Sequence, residues 1–232
     1  MKYICIAVLE DGRTMDFEID TDSGIFIMDV PSDGYPDWVG KLARNCNGCP
    51  KAEEDETCGA GMNVYKITDF FDDVASIERI TLTYVSNRGE VLIRNLRASD
   101  GLRFIFLAAL SFSECPVFAR SAWAWEYYSD YIDPKRLFYV LLSSRLVVSA
   151  IHQDFELSMD TAMRTVHDDL RQADKVFRAI FEAIQGLSEQ DANVNALSTL
   201  IHLNDLLKLK ANDYIADFRS QIDFQMKLKK DK

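Results

Sequence analysis

Four cysteines carry the clearest chemistry in this chain. Cys46 and Cys49 bracket Asn47-Gly48, Cys58 follows in the same stretch, and Cys115 sits in Ser113-Glu114-Cys115-Pro116. A bare thiol is a weak metal ligand, whereas a thiolate is a strong one that a divalent cation keeps deprotonated. Two cysteines separated by two residues reach one ion from a tight turn, and Gly48 relieves the backbone such a turn strains. Cys58 closes a larger loop. Cys115, supplied from another part of the chain, completes a tetrahedral four-sulfur set. A closed set of this kind is typical of structural zinc. Its expected work is to hold chain segments together. Structural zinc in small peptides is worth roughly 10–16 kcal/mol at neutral pH, ample to pin the polar loop Asn45–Gly61 to the start of a helix.

Two other readings stay open. Cysteine precedes proline at Cys49-Pro50 and Cys115-Pro116, as it often does in ferredoxins, and four thiolates also hold an iron–sulfur cluster. The spacing matches neither of the usual ferredoxin runs. Alternatively the cysteines are unrelated small apolar residues. Cys5, with apolar neighbours on a strand, reads as core.

Nothing else in the sequence assembles a catalytic set. His152, His167 and His202 form no H-E-x-x-H pattern. Cys58-Gly59-Ala60-Gly61 lacks the Gly-Lys-Ser/Thr of a phosphate loop. Asp72-Asp73 and Asp168-Asp169 are adjacent, so on helices each pair diverges. Glu53-Glu54-Asp55-Glu56 reads as a solvated acidic face. A zinc with an open fourth position would make the protein a hydrolase or transferase. The closed set and the missing constellation favour a non-catalytic binding or assembly protein.

The 232 residues carry a formal net charge of −11. Such a surface repels phosphate backbones and anionic lipid, which argues against nucleic acid and membrane as partners. No apolar run is long enough to span a bilayer, and no secretory signal is visible. A cytoplasmic location is expected, where thiols stay reduced and clustered cysteines favour metal over disulfides. The dense aromatic run Trp123, Trp125, Tyr127, Tyr128 and Tyr131 exceeds what one buried face accommodates. It points to a protein partner or a homo-oligomer.

Several elements must position the thiols. Tyr3–Leu9 is apolar and rich in β-formers. Asp11-Gly12 predicts a two-residue type I′ turn, and Met15, Phe17 and Ile19 alternate with polar residues on the return strand. Ile25–Val30 reads as a third strand. Asp37–Leu42 leads into the cysteine loop, with Trp38 as a core anchor or a lid. Met62–Ala75 predicts a helix, and Ile80–Val85 with Glu90–Leu96 a second hairpin. From Ser99 the period becomes helical. Ser99 or Asp100 caps Leu102–Phe112, Asp133-Pro134 opens Leu137–Ile151, and a seam from Met163 to Leu187 predicts a bundle or an antiparallel helix pair. Ser188–Asp191 resembles a capping box before a last long helix or helix pair. Asn204, near the apolar side of that helix, suits a bond across the bundle. The fold class expected is α+β: an N-terminal, mostly antiparallel sheet, a cysteine-rich metal loop and a C-terminal helical bundle. The division falls at 1–99 and 100–232, one compact unit clamped by the cysteines.

At these residues the chain resembles a bacterial family of unknown function. The likeness rests on Pro36-Asp37-Trp38, Cys46-x₂-Cys49-Pro50, Cys58, Ser113-x-Cys115-Pro116 and Asp191-Ala192-Asn193-Val194-Asn195-Ala196, and it spans most of the chain. Two departures stand out. Cys58 is followed by Gly59 where the family carries proline, and Ala119–Tyr128 replaces a histidine-containing stretch. The resemblance implies a four-cysteine site and no particular activity.

Overall fold

The computed structural model describes residues 2–28, 34–46, 49, 58–86, 91–120, 133–151 and 159–230. Five strands and six helices follow in the order β1 (Lys2–Leu9), β2 (Thr14–Asp20), β3 (Ile25–Ile27), α1 (Asp37–Asn45), α2 (Gly59–Phe70), β4 (Arg79–Ser86), β5 (Val91–Arg97), α3 (Ala98–Ser111), α4 (Pro134–Ile151), α5 (Met159–Ile184) and α6 (Ala192–Lys230). The fold is α+β, as the change of period near Ser99 predicts.

The strands make one antiparallel sheet in the order β3-β2-β1-β4-β5. Alternation decides its faces. Cys5, Ala7 and Leu9 of β1, Met15, Phe17 and Ile19 of β2, and Ile80, Leu82 and Tyr84 of β4 are buried against helices. Their neighbours in sequence face outward. The first hairpin departs from the two-residue turn expected. Leu9 and Arg13 pair at the strand ends, the Gly12 N–H donates to the Leu9 carbonyl at 3.1 Å, and Gly12 has φ +88°. This is a three-residue connection whose last residue occupies the left-handed region, where glycine carries no Cβ penalty.

A first core joins the inner sheet face to α2, α3, the second half of α5 and the first half of α6. It draws on residues from both sides of residue 100. A second, smaller core lies among α4, the first half of α5 and the middle of α6. Helices α5 and α6 run antiparallel, as the apolar seam predicts. Asn204 Nδ2 donates to the Leu170 carbonyl at 2.9 Å between them. The seam ends earlier than the sequence suggests: α5 stops at Ile184, and Leu187 is 56% exposed.

Boundaries moved where distant contacts act. β3 ends at Ile27, and the rest of the expected strand to Val30 lies partly outside the described residues. The cap expected at Ser99 or Asp100 is not formed. α3 begins at Ala98 without a side-chain cap. Ser99 Oγ donates instead to the Ser76 carbonyl, and Asp100 pairs with Arg103. Before α6, Asp191 and not Ser188 immediately precedes the helix; the Asn195 N–H donates to its carbonyl at 2.9 Å.

Candidate metal centre

Each cysteine stands at the end of an element. Cys46 is the C-terminal cap of α1, its N–H donating to the Leu42 carbonyl at 2.9 Å. The sequence suggests only a lead-in there. The helix is legible in hindsight from Trp38, Val39, Leu42 and Ala43, whose spacing lays one apolar face against α2. Val39, Leu42 and Ala43 are buried. Trp38 packs edge-on against Tyr65 at a centroid distance of 6.2 Å, an anchor on the core. The Cys49 N–H returns to the Cys46 carbonyl at 2.9 Å and so closes a turn. Asn47 and Gly48 at its corner lie outside the described residues, as do Pro50 and the acidic run Glu53–Glu56.

Cys58 is the N-terminal cap of α2. Its sulfur accepts the Gly61 N–H at 3.4 Å. The helix thus starts at Gly59, three residues before the expected Met62. Gly59 explains why. A Cβ there would lie 2.5 Å from the Ser113 carbonyl oxygen, so only glycine lets α2 begin against that strand of backbone. A Cβ on Gly61 would sit 3.1 Å from Leu42 of α1. Two glycines that read as loop are therefore close-packing positions.

Cys115 follows α3 on a short segment held from both sides. Phe26 of β3 donates its N–H to the Phe112 carbonyl at 2.9 Å, Ile25 bridges Ser113, and Ser113 Oγ donates to Leu110. Between Ser113 and Cys115, Glu114 has φ +59°. A non-glycine residue there is uncommon and costs of order 1 kcal/mol, which the surrounding bonds must offset. No sequence signal announces it.

All four thiols share one electrostatic neighbourhood. Burial first, and then Cys49, Cys115 and Cys58, push the Cys46 thiol up to about 12 against a weaker pull from Lys175. Cys58 is also raised, by burial first and then by Cys115 and Cys49, although the N–H groups of Gly61 and Ala60 favour its thiolate. Lys175 of α5 is a neighbour that sequence reasoning did not identify. Cys46, Cys58 and Cys115 pack against the first core as half-buried residues, and Cys5 is buried inside it. The convergence is one of chain segments. Among the described residues, no three or more histidine, cysteine, aspartate or glutamate side chains are arranged so as to hold a metal ion.

The match to a known family spans residues 3–223, and that family is a domain of unknown function, DUF6901. The chain belongs to the DUF6901 family. The match encloses all four cysteines and gives none of them a role. No curated protein and no solved structure matches the chain. Among the described residues, no helix is long and apolar enough to cross a membrane. The aromatic run Trp123–Tyr131 and His152 lie outside the described residues.

Proposed function

We propose that this DUF6901 chain is a metal-stabilised binding or assembly protein of the cytoplasm, with Cys46, Cys49, Cys58 and Cys115 holding one structural zinc ion. The observation that supports the reading is that three chain segments bring their cysteines into one half-buried neighbourhood at the edge of the first core: the end of α1, the start of α2 and the turn after α3. Buried thiols that repel one another as thiolates gain most from a divalent cation at their centre. In the thiol form nothing draws the sulfurs to bonding distance; deprotonation and metal entry would do so together. The role would be mechanical. Zinc would tie the sheet side, through α1 and α2, to the helical side, through Cys115. Partners are expected to be proteins, or further copies of the chain, and not nucleic acid or membrane, given the charge of −11.

Elemental analysis of protein purified without added metal tests this directly. About one zinc per chain is expected. Zinc far below that, with no iron, sinks the reading. Brown protein with broad visible absorption after anaerobic purification would transfer the site to iron–sulfur, the alternative that the two Cys-Pro pairs favour. Cys115→Ala should lose both metal and stability. A folded variant retaining full metal would oppose a closed four-sulfur site.

A further inference from the structure

The two edges of the sheet are treated differently. At one edge, β3 is closed by Phe112 and Ser113 through a backbone hydrogen bond and a bridge. At the other, β5 has β4 as its only strand partner among the described residues. Open edges are normally blunted by charge, proline or a bulge, because their unpaired N–H and C=O groups template further strands. β5 opens with three aliphatic residues instead. Val91, Leu92 and Ile93 are 59%, 47% and 64% exposed.

Alternation puts Val91 and Ile93 on the outer face and Leu92 on the inner, so the start of the strand is open on both faces as well as along its edge, while Leu96 further on packs against the first core. The outer face continues inward from it. Val91 registers with Val85 and Val85 with Ile4, while Ile93 registers with Thr83 and Thr83 with Ile6. This β-branched strip crosses three strands. Charge adds a second signal. β4 and β5 carry Arg79, Arg94 and Arg97 and no carboxylate, in a chain that is otherwise acidic.

We propose that the β5 edge docks an extended, acidic segment of a partner protein, which adds to the sheet as a further strand. Main-chain bonds to β5 would supply affinity. Aliphatic side chains would lie beside Val91 and Ile93, and carboxylates further along the same outer face would meet Arg97 and its register partner Arg79. A second copy is a poorer occupant on both counts. Two β5 strands paired with each other would juxtapose their arginines, and the β3 edge of another copy is already closed. The proposal supplies the surface and the partner class for the binding role above. It involves none of the cysteines, so a failed metal analysis leaves it standing, and its own failure leaves the metal site untouched.

The test uses the full chain and a fluorescent peptide matching the seven residues of β5 in length, with valine or isoleucine at the outward positions of one half, glutamate at those of the other and threonine between. Its counterpart carries lysine at each glutamate. The acidic peptide should bind, more weakly as salt rises, and roughly tenfold more tightly than the basic one. Hydrogen exchange should slow at β5 amides. Ile93→Lys and Arg97→Glu should each weaken binding roughly tenfold with unchanged circular dichroism, since both side chains are exposed. Absence of binding, equal binding of the two peptides, or protection elsewhere overturns the proposal. So does concentration-dependent self-association that Ile93→Lys abolishes, which would make a second copy the occupant.

Discussion

The side-chain amide of Asn193 donates to the carbonyls of Thr68 and Phe71, at 3.0 and 3.2 Å, and to Ser188 Oγ at 3.1 Å. Two of these acceptors belong to the end of α2, where helical carbonyls run out of amide partners. Asn193 is fully buried, so water cannot replace it at low cost. Asn193→Ala should therefore destabilise the protein by about 1–3 kcal/mol, read from urea denaturation with an unchanged slope. Gly59 makes the complementary point about space. Gly59→Ala drives a Cβ into the Ser113 carbonyl oxygen at 2.5 Å, a backbone atom that no rotamer change can move aside. A loss of about 1–3 kcal/mol is expected. If the four cysteines bind metal together, the same variant should also bind zinc more weakly in a chelator competition, because it parts Cys58 from Cys115. Loss of stability alone, with metal affinity intact, would show that the Gly59 contact is merely packing.

The start of α6 is docked by a cluster of bonds around the α2–β4 corner. Asp191 accepts the Ser76 N–H at 2.7 Å, the Ser76 hydroxyl at 3.1 Å and the Asn195 amide at 2.8 Å. The Ser76 N–H chiefly holds its carboxyl below the usual carboxylate range. The sign follows: stability from these bonds is present above the unfolded carboxylate value and is lost as pH falls through the lower folded one. Asp191→Asn should melt earlier than the parent chain at neutral pH. The gap should close as acid protonates Asp191; a gap constant down to strongly acidic pH would refute the assignment. Much of this level was legible in the sequence. Strict alternation in Thr14–Asp20 places Met15, Phe17 and Ile19 inside, and the α5 seam anticipates its pairing with α6. Local signals failed where a distant segment decides. Gly59-Ala60-Gly61 has poor helix propensity yet opens α2, capped by Cys58, and its two glycines let the helix approach Ser113 and Leu42 closely. The cysteine spacing marked the candidate site, whereas Lys175 and the left-handed Glu114 depend on contacts that spacing does not encode.

At the scale of the whole chain, two cores divide the work. The second core, among α4, α5 and α6, lies apart from the sheet and, among the described residues, holds fewer buried side chains than the first. Phe138 is fully buried there. Phe138→Ala should cost about 3–5 kcal/mol locally, and hydrogen exchange should reveal where. Amides of α4 should lose protection first, while β1 and β4 keep theirs. Simultaneous loss in sheet and bundle would show that the cores open as one. The unequal sheet edges carry a consequence at the same scale. A sheet with two open margins can grow from either side, and copies can stack into a fibril without end. Here Phe112 and Ser113 occupy one margin, so lengthening is one-directional. Among the described residues, a strand added at β5 finds β3 on the far side already flanked by Phe112 and Ser113. Growth by strand addition would be chain-terminating, giving complexes of fixed stoichiometry.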